Sequence, residues 1–270
     1  MKLVIPTLGR IDKQITFENI PKKFHSDVRL VVQTHEYEAM KERYGDLIVC
    51  LPENVKNIAR TREWIFNHFC SERMFVFDDD LKFSYQTYKL NEEGAPKWTK
   101  RKCNEQEFDD MLALVNSWMD QGIVFGGILP ASVISDITQY PIRKCTRVMS
   151  NVFYDGPKMP KDLEWCRVPF AEDIDVTLQL LTRGYENWVS AVYRADFPTA
   201  NPGGCSLSRT LESHNESSRM LVELWPEFVK LNEKELKTGP WAGDVKAAVR
   251  VYTKKAYQSS QRNNLADFFG

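Results

Sequence analysis

The chain has 270 residues and a mass of 31.4 kDa, with 36 Lys and Arg against 37 Asp and Glu, for a net charge of -1. Hydrophobic residues at 43% and charged residues at 27% are ordinary globular usage, which sets aside disordered, collagen-like and coiled-coil readings. The length fits one large α/β domain or two small ones. The longest apolar stretches, such as residues 123–128, fall far short of the ~20 residues of a membrane span. Met1 and Lys2 lead into Leu3-Val4-Ile5 rather than into a secretory leader, so a cytoplasmic protein with no membrane partner is expected. Cys50, Cys70, Cys103, Cys145, Cys166 and Cys205 form no CxxC pair, which argues for reduced thiols over a zinc or disulfide framework. A polyanionic partner would have to be met by a local basic patch, since the overall field is near neutral.

Residues 2–6, 28–33 and 46–51 are β-branched runs ended by turn or charged residues and predict three strands. Residues 59–70 place Trp64, Ile65 and Phe69 at helical spacing. They lead into a fully apolar strand, residues 74–77, that ends in three aspartates. This β-α-β alternation predicts a mostly parallel sheet, with ligands outside the carboxyl ends of the strands. Residues 82–104 lack clean periodicity and read as a long irregular excursion. An amphipathic helix is predicted over 108–119, strands over 124–128 and 147–153, and a loop over 201–208. A helix over 172–184 carries the stripe Val176, Leu178, Leu180 and Leu181 and stops at Gly184. Residues 244–257 predict a further helix, and residues 258–270 a polar, fraying tail. There is no internal repeat and no two-domain linker.

The first chemical signal is Asp78-Asp79-Asp80. Adjacent carboxylates at a strand end repel one another unless a cation is bound, and hard oxygen ligands suit Mg²⁺ or Mn²⁺ carrying substrate phosphates. Alternate carboxylates, Asp78 and Asp80, face one side of an extended chain. The structural alternative is an acidic turn that caps the next element. The second signal is Glu172-Asp173-Ile174-Asp175, where acidic residues also suit a helix start by complementing its dipole.

Together these residues carry a resemblance. Val4-Ile5-Pro6-Thr7, Ile58-Ala59-Arg60-Thr61-Arg62, Phe75-Val76-Phe77-Asp78-Asp79-Asp80 and Glu172-Asp173-Ile174-Asp175-Val176, followed by Arg183-Gly184-Tyr185, occur in the order seen in GT-A fold nucleotide-sugar glycosyltransferases. The sequence looks most similar to family 2 over about residues 1–200. The resemblance implies an α/β, Rossmann-like GT-A fold, a mixed, mostly parallel sheet flanked by helices. Residues 1–225 would form the catalytic domain, with a nucleotide-sugar half (1–80) and an acceptor half (81–225). A helical extension (226–257) and the tail (258–270) would follow. It further implies a UDP-sugar donor on Pro6, Thr7, Arg10, Arg62, Asp78 and Asp79, and Mn²⁺ or Mg²⁺ on Asp78 and Asp80. Asp173 would be the catalytic base, with Glu172 beside it, in a single displacement with inversion. Two departures stand out: Asn57 where the family usually has Gly, and a long stretch from Asp80 to Glu172, which leaves the acceptor open.

His214, in a polar segment after Gly203-Gly204, is a candidate metal ligand on a mobile lid, or an exposed helix-flanking residue. Gly126-Gly127 allows either close approach of the acceptor or a tight turn. His25, His35 and His68 sit in surface or packing contexts. The excursion interleaves Lys82, Lys89, Lys97, Lys100, Arg101 and Lys102 with Phe83, Tyr85, Tyr88 and Trp98, against Glu92 and Glu93. Such a pattern offsets phosphates and stacks on bases or sugars, or is simply a solvated loop with packing aromatics. Tyr85, Trp98, Lys100, Arg101 and Arg143 are the candidate acceptor contacts, and Lys246, Arg250 and Lys254 align on the helix expected over 244–257. Leu265, Phe268 and Phe269 at the terminus resemble peptides that dock onto DNA sliding clamps, although Gln261 is one residue off register; packing on the chain's own domain is the alternative. With that tail, the whole resembles bacteriophage glycosyltransferases that modify hydroxymethylated cytosine in DNA. Glucose or a pentose such as arabinose would be delivered to a base turned out of the duplex. A cell-envelope glycan or lipid acceptor, a non-catalytic binding protein and a two-metal nucleotidyltransferase are the competing readings.

Overall fold

A computed structural model describes residues 1–133, 135–197, 204, 209–238 and 242–269, with side chains through residue 261. Strand β1 (Lys2–Pro6) is followed by a short α1 (Ile15–Asn19), β2 (Val28–Val32), α2 (Tyr37–Tyr44), β3 (Ile48–Cys50), α3 (Ile58–Phe69) and β4 (Arg73–Phe77). These four strands pair in parallel, in the order β3-β2-β1-β4. The chain leaves β1 toward β2 on one side and returns to β4 on the other, so the carboxyl ends of β1 and β4 border a switch-point crevice. Alternation along each strand feeds two cores. Val4, Val31, Met74 and Val76 join one face, and Leu3, Ile5, Leu30, Phe75 and Phe77 the other.

The hairpin β5 (Lys82–Leu90) and β6 (Pro96–Lys102) comes next, then α4 (Glu105–Asp120), β7 (Phe125–Pro130), β8 (Ile142–Lys144) and β9 (Asn151–Asp155). Helix α5 (Glu172–Thr182), β10 (Trp188–Asp196), α6 (Leu211–Leu224), β11 (Val229–Glu235), β12 (Val245–Val251) and α7 (Thr253–Phe269) complete the order. The central ten-stranded sheet continues β4-β9-β7-β10-β5-β6, with β8 paired to β10, and is therefore mixed, as expected. Strand β9 runs antiparallel to both β4 and β7, while β7 and β10 are parallel. Helices α3 and α5 cover one face through Ile65, Phe66, Leu178 and Leu181, and α4 covers the other through Phe108, Met111, Val115 and Trp118. β11 and β12 form a separate two-stranded sheet that packs on α6, and α7 packs on α5. Among the described residues no helix is long and apolar enough to cross a membrane. The five cysteines with described side chains are free thiols, and Cys205 lies outside the described residues.

Several elements depart from the sequence reading. The excursion over 82–104 is a regular antiparallel hairpin, because lysines on both faces of β5 and β6 conceal the period of two. Residues 245–251 form β12 rather than the first half of a helix, so Lys246 and Arg250 share a strand while Lys254 sits on α7. There the alternation of Val245, Ala247, Val249 and Val251 outweighs the helical spacing of the charges. The helix instead continues to Phe269, where a fraying tail was expected. The chain over 147–150 is not strand: Ser150 takes φ 66° and β9 begins after it. Strand β10 carries no distinct period. Asn57, in place of the family's Gly, caps α3 by accepting from Arg60 N at 2.9 Å.

Gly126 and Gly127 are neither turn nor acceptor contact. They lie inside β7, where a Cβ on Gly126 would sit 2.0 Å from Trp188 O and one on Gly127 2.5 Å from Asn151 O. Both blocking atoms are backbone, so the sheet itself would have to move. Gly126→Ala is therefore expected to cost about 1–3 kcal/mol or more in urea unfolding, the range for an overpacked core; an unchanged midpoint would contradict this packing.

Candidate active site

A cavity of about 600 Å³ opens at the carboxyl ends of β1 and β4. Its walls come from Pro6 and Thr7 after β1, the aspartate triplet after β4, the first turns of α3 and α5, and α6 with β12. Thr7 is fixed by its N–H donating to Val31 O (3.0 Å), which extends the β1 to β2 ladder, and by Gln14 Nε2 donating to its hydroxyl (3.0 Å).

The triplet is held by its backbone. Asp78 N–H donates to Ser150 O at 2.7 Å, continuing the β4 to β9 ladder. Thr16 Oγ1 donates to Asp78 O at 2.5 Å and accepts from Leu81 N at 2.8 Å. The side chains then divide by alternation. Asp79 is buried, 8% exposed, and receives Arg10, whereas Asp78 and Asp80 remain 36% and 22% exposed toward the cavity. Arg10 also reaches Asp80 Oδ2 at 3.3 Å. Asp79 Oδ2 is buried and accepts no hydrogen bond among the described residues.

The second acidic motif meets the first through Arg62. Its guanidinium lies 2.8 Å from Glu172 Oε1 and donates to Asp78 Oδ1 at 3.1 Å. Burial pulls this guanidinium toward deprotonation, but Glu172 and Asp78 outweigh it and hold the charge. Burial pushes Glu172 up to about 7; Arg62 draws it back and Asp173 adds to the rise. Asp78 is raised by burial and by Asp80, against the pull of Arg62. Asp173 is turned by one helical step into the cavity, where Arg147 Nη2 lies 3.4 Å from its Oδ2. Asp175 serves structure instead: it is fully buried and accepts from Arg167 (2.6 and 3.0 Å), Trp225 Nε1 (2.7 Å) and Gln179 Nε2 (3.1 Å).

Pro6, Thr7, Arg10, Arg62, Asp78, Asp79, Asp80, Glu172, Asp173 and His214 thus line one cavity. His214 does so from within α6, not from a mobile lid. The candidate acceptor contacts lie elsewhere. Tyr85 stacks edge-on with Tyr193 and lies under Arg101, Arg101 is paired with Glu107, and Lys100 with Asp196. Trp98 pairs with Tyr88 across the hairpin, and Arg143 donates to Ser135 Oγ at 2.9 Å. The side chains of Leu265, Phe268 and Phe269 lie outside the described residues, and so does most of the loop over 201–208. Sequence reasoning missed Thr16, Glu36 and Arg209, and read Lys246 as part of a basic helical cluster rather than as a residue of the cavity wall. Glu36 accepts from Gly9 N at 2.7 Å and steadies the loop before Arg10. Nothing in a lone Thr or Glu announces such a role, whereas Arg209 could have been suspected from its place just before the Thr210 cap of α6.

A mixed sheet that brings an aspartate triplet and a Glu-Asp helix start to one crevice is consistent with the GT-A arrangement. The chain matches the family model of the TET-associated glycosyltransferases over residues 1–194 and belongs to that family. It is also similar to two curated proteins, each called beta-glucosyl-HMC-alpha-glucosyl-transferase, from Enterobacteria phage T6 and Enterobacteria phage T2. Each is 23% identical over 257 residues, spanning 93% of this chain and 90% of the relative.

Removing Arg62 leaves Asp78 and Glu172 facing each other without their shared cation. Arg62→Met is expected to lose about 3–5 kcal/mol of unfolding free energy, the usual cost of breaking a buried pair; chemical denaturation within ~0.5 kcal/mol of wild type would contradict the bridge.

Proposed function

We propose that this glycosyltransferase moves a sugar from a UDP-sugar to a hydroxyl on a modified cytosine in DNA. That hydroxyl is the hydroxymethyl oxygen of 5-hydroxymethylcytosine or belongs to a sugar already attached to it. The observation that carries the reading is the single cavity in which the Asp78–Asp80 turn and the Glu172-Asp173 helix start are joined through Arg62. In this reading Pro6, Thr7 and Arg10 form the nucleotide side, with Asp79 holding Arg10 in place there. Asp173, the accessible member of its pair, takes the proton from the attacking hydroxyl. The glycosidic bond forms as the bond from the anomeric carbon to the diphosphate breaks, with inversion at that carbon. Glu172, buried on Arg62, positions rather than reacts.

A divalent ion fits the aspartates in a limited way. Among the described residues no three His, Cys, Asp or Glu side chains are grouped to hold a metal unaided. Ions such as Mg²⁺ commonly use one or two carboxylates plus substrate phosphates, however, and the two exposed carboxylates, Asp78 and Asp80, suit that role. When bound, Mn²⁺ or Mg²⁺ offsets charge on the departing diphosphate.

Support for DNA as the acceptor comes from the relatives' names and from the β5–β6 hairpin. Its residues 82–102 hold six cations against two carboxylates. Only Lys82 to Tyr85 of β5 pair with β10, so the distal half extends past the sheet and carries the Tyr88–Trp98 pair. Nine strand residues span about 30 Å, close to one turn of duplex DNA. The hairpin thus suits phosphates flanking the target rather than the reacting base.

Two substitutions test the roles. Asp173→Asn should keep UDP-sugar affinity while kcat falls about 10²–10⁴-fold; near-normal turnover would remove Asp173 as the base. Asp80→Ala should abolish the gain in UDP-sugar affinity that Mn²⁺ confers, and calorimetry showing the same gain as in wild type would remove Asp80 from the metal.

A further inference from the structure

Strands β11 and β12 lie beyond the family match, and the register between them sorts their charges. Directly opposed residues of an antiparallel pair share a face, and so do residues two apart along a strand. One face of this small sheet therefore carries Lys230, Asn232 and Lys234 of β11 opposite Arg250, Ala248 and Lys246 of β12. The other carries Glu233 and Glu235 among apolar residues such as Val229 and Ala247. Both carboxylates of the two strands thus fall on one face and all four cations on the other.

Val229 and Ala247 are buried, and Glu233 lies 4.0 Å from Arg219 of α6, so the acidic face is the one that packs on α6. On the basic face Lys246 and Ala248 line the cavity, as does the neighbouring Val249, while Lys230, Asn232, Lys234 and Arg250 are exposed. The basic face therefore begins at the cavity and continues outward into solvent. Lys230, Lys234 and Arg250 form no ion pair among the described residues. Lys230 Nζ donates to Pro226 O at 3.0 Å, and Arg250 lies 5.3 Å from the ring of Tyr252, itself 37% exposed. The β5–β6 hairpin differs, since its Lys100 and Arg101 are matched to Asp196 and Glu107.

Exposed cations segregated from every carboxylate of their sheet give a protein of net charge -1 a local field that attracts a polyanion. The four-residue step from Lys246 to Arg250 spans about 13 Å of strand, close to the rise of four nucleotides in one DNA strand. We infer that the basic face of the β11–β12 sheet is a docking surface for the DNA phosphate backbone beside the nucleotide that enters the cavity. The inference rests on the DNA-acceptor reading above. Contacts to phosphates fix register and orientation without reading sequence, so this surface positions the strand and leaves the choice of base to the cavity.

Fluorescence anisotropy of the full chain with a duplex carrying 5-hydroxymethylcytosine, followed across a range of salt concentrations, tests the surface. The slope of log affinity against log salt should become shallower by about 2.7 in the triple variant Lys230→Gln, Lys234→Gln, Arg250→Gln, and by about 0.9 in Lys234→Gln alone. The weakening should be the same for duplexes of different sequence, and UDP affinity by calorimetry should stay at the wild-type value. A triple variant with the wild-type slope and DNA affinity would overturn the inference and leave the DNA reading intact. A wild-type protein with no affinity for the duplex would overturn both. Loss of binding to phosphatidylserine vesicles in the triple variant, with DNA affinity unchanged, would give the face to a membrane and overturn its assignment to DNA.

Discussion

The buried guanidinium of Arg62 is the constraint on which the site depends. It reaches the turn after β4 through Asp78 and the start of α5 through Glu172, two segments separated by almost a hundred residues. Without a cation between them, these acidic segments would repel across a space from which water is partly excluded. Desolvating a charge is expensive, and it is tolerated here because each carboxylate has a fixed partner. Arg10 plays the same part for Asp79 and Asp80. The pairs that make the fold bearable therefore also fix the carboxylates that line the cavity.

Backbone geometry then gives adjacent, chemically similar residues different work. In the extended triplet, alternation turns Asp79 inward onto Arg10 and leaves Asp78 and Asp80 partly open. At the start of α5, successive residues rotate by about 100°. Glu172 is buried, Asp173 faces the cavity beside Arg147, and Asp175 is sequestered by Arg167 and Trp225. Position relative to the sheet, rather than residue type, separates the buried, cavity-facing and structurally bound carboxylates.

The four parallel strands and α3 were legible because these elements are short and unambiguous. The strand expected over 2–6 is β1 residue for residue, and α3 and β4 fall within one residue of expectation. The aspartate triplet and the Glu172-Asp173 pair were legible for the same reason, as acidic groups at element ends. Where charge and apolar periods conflict, the sequence misleads. Lysines on both faces of the β5–β6 hairpin mask its alternation, and the spacing of Lys246, Arg250 and Lys254 suggests a helix where β12 forms. Of the contribution of α6 and β12 to the cavity, only His214 was legible. The rest depends on tertiary contacts such as those of Asn215, which joins segments some thirty residues apart.

In the proposed reading donor and acceptor are separated: the cavity holds every residue argued to handle the nucleotide-sugar, and the residues of the basic, aromatic hairpin are not among those that line it. The most direct test of this arrangement is mass spectrometry of nucleosides released from DNA carrying 5-hydroxymethylcytosine, with or without a glucose already attached, after incubation with the protein, Mn²⁺ and a panel of UDP-sugars. The account predicts a hexose or pentose mass gain on the modified cytosine of at least one of these DNAs. UDP-sugar hydrolysis with no gain on any modified cytosine would contradict it and move the acceptor away from DNA.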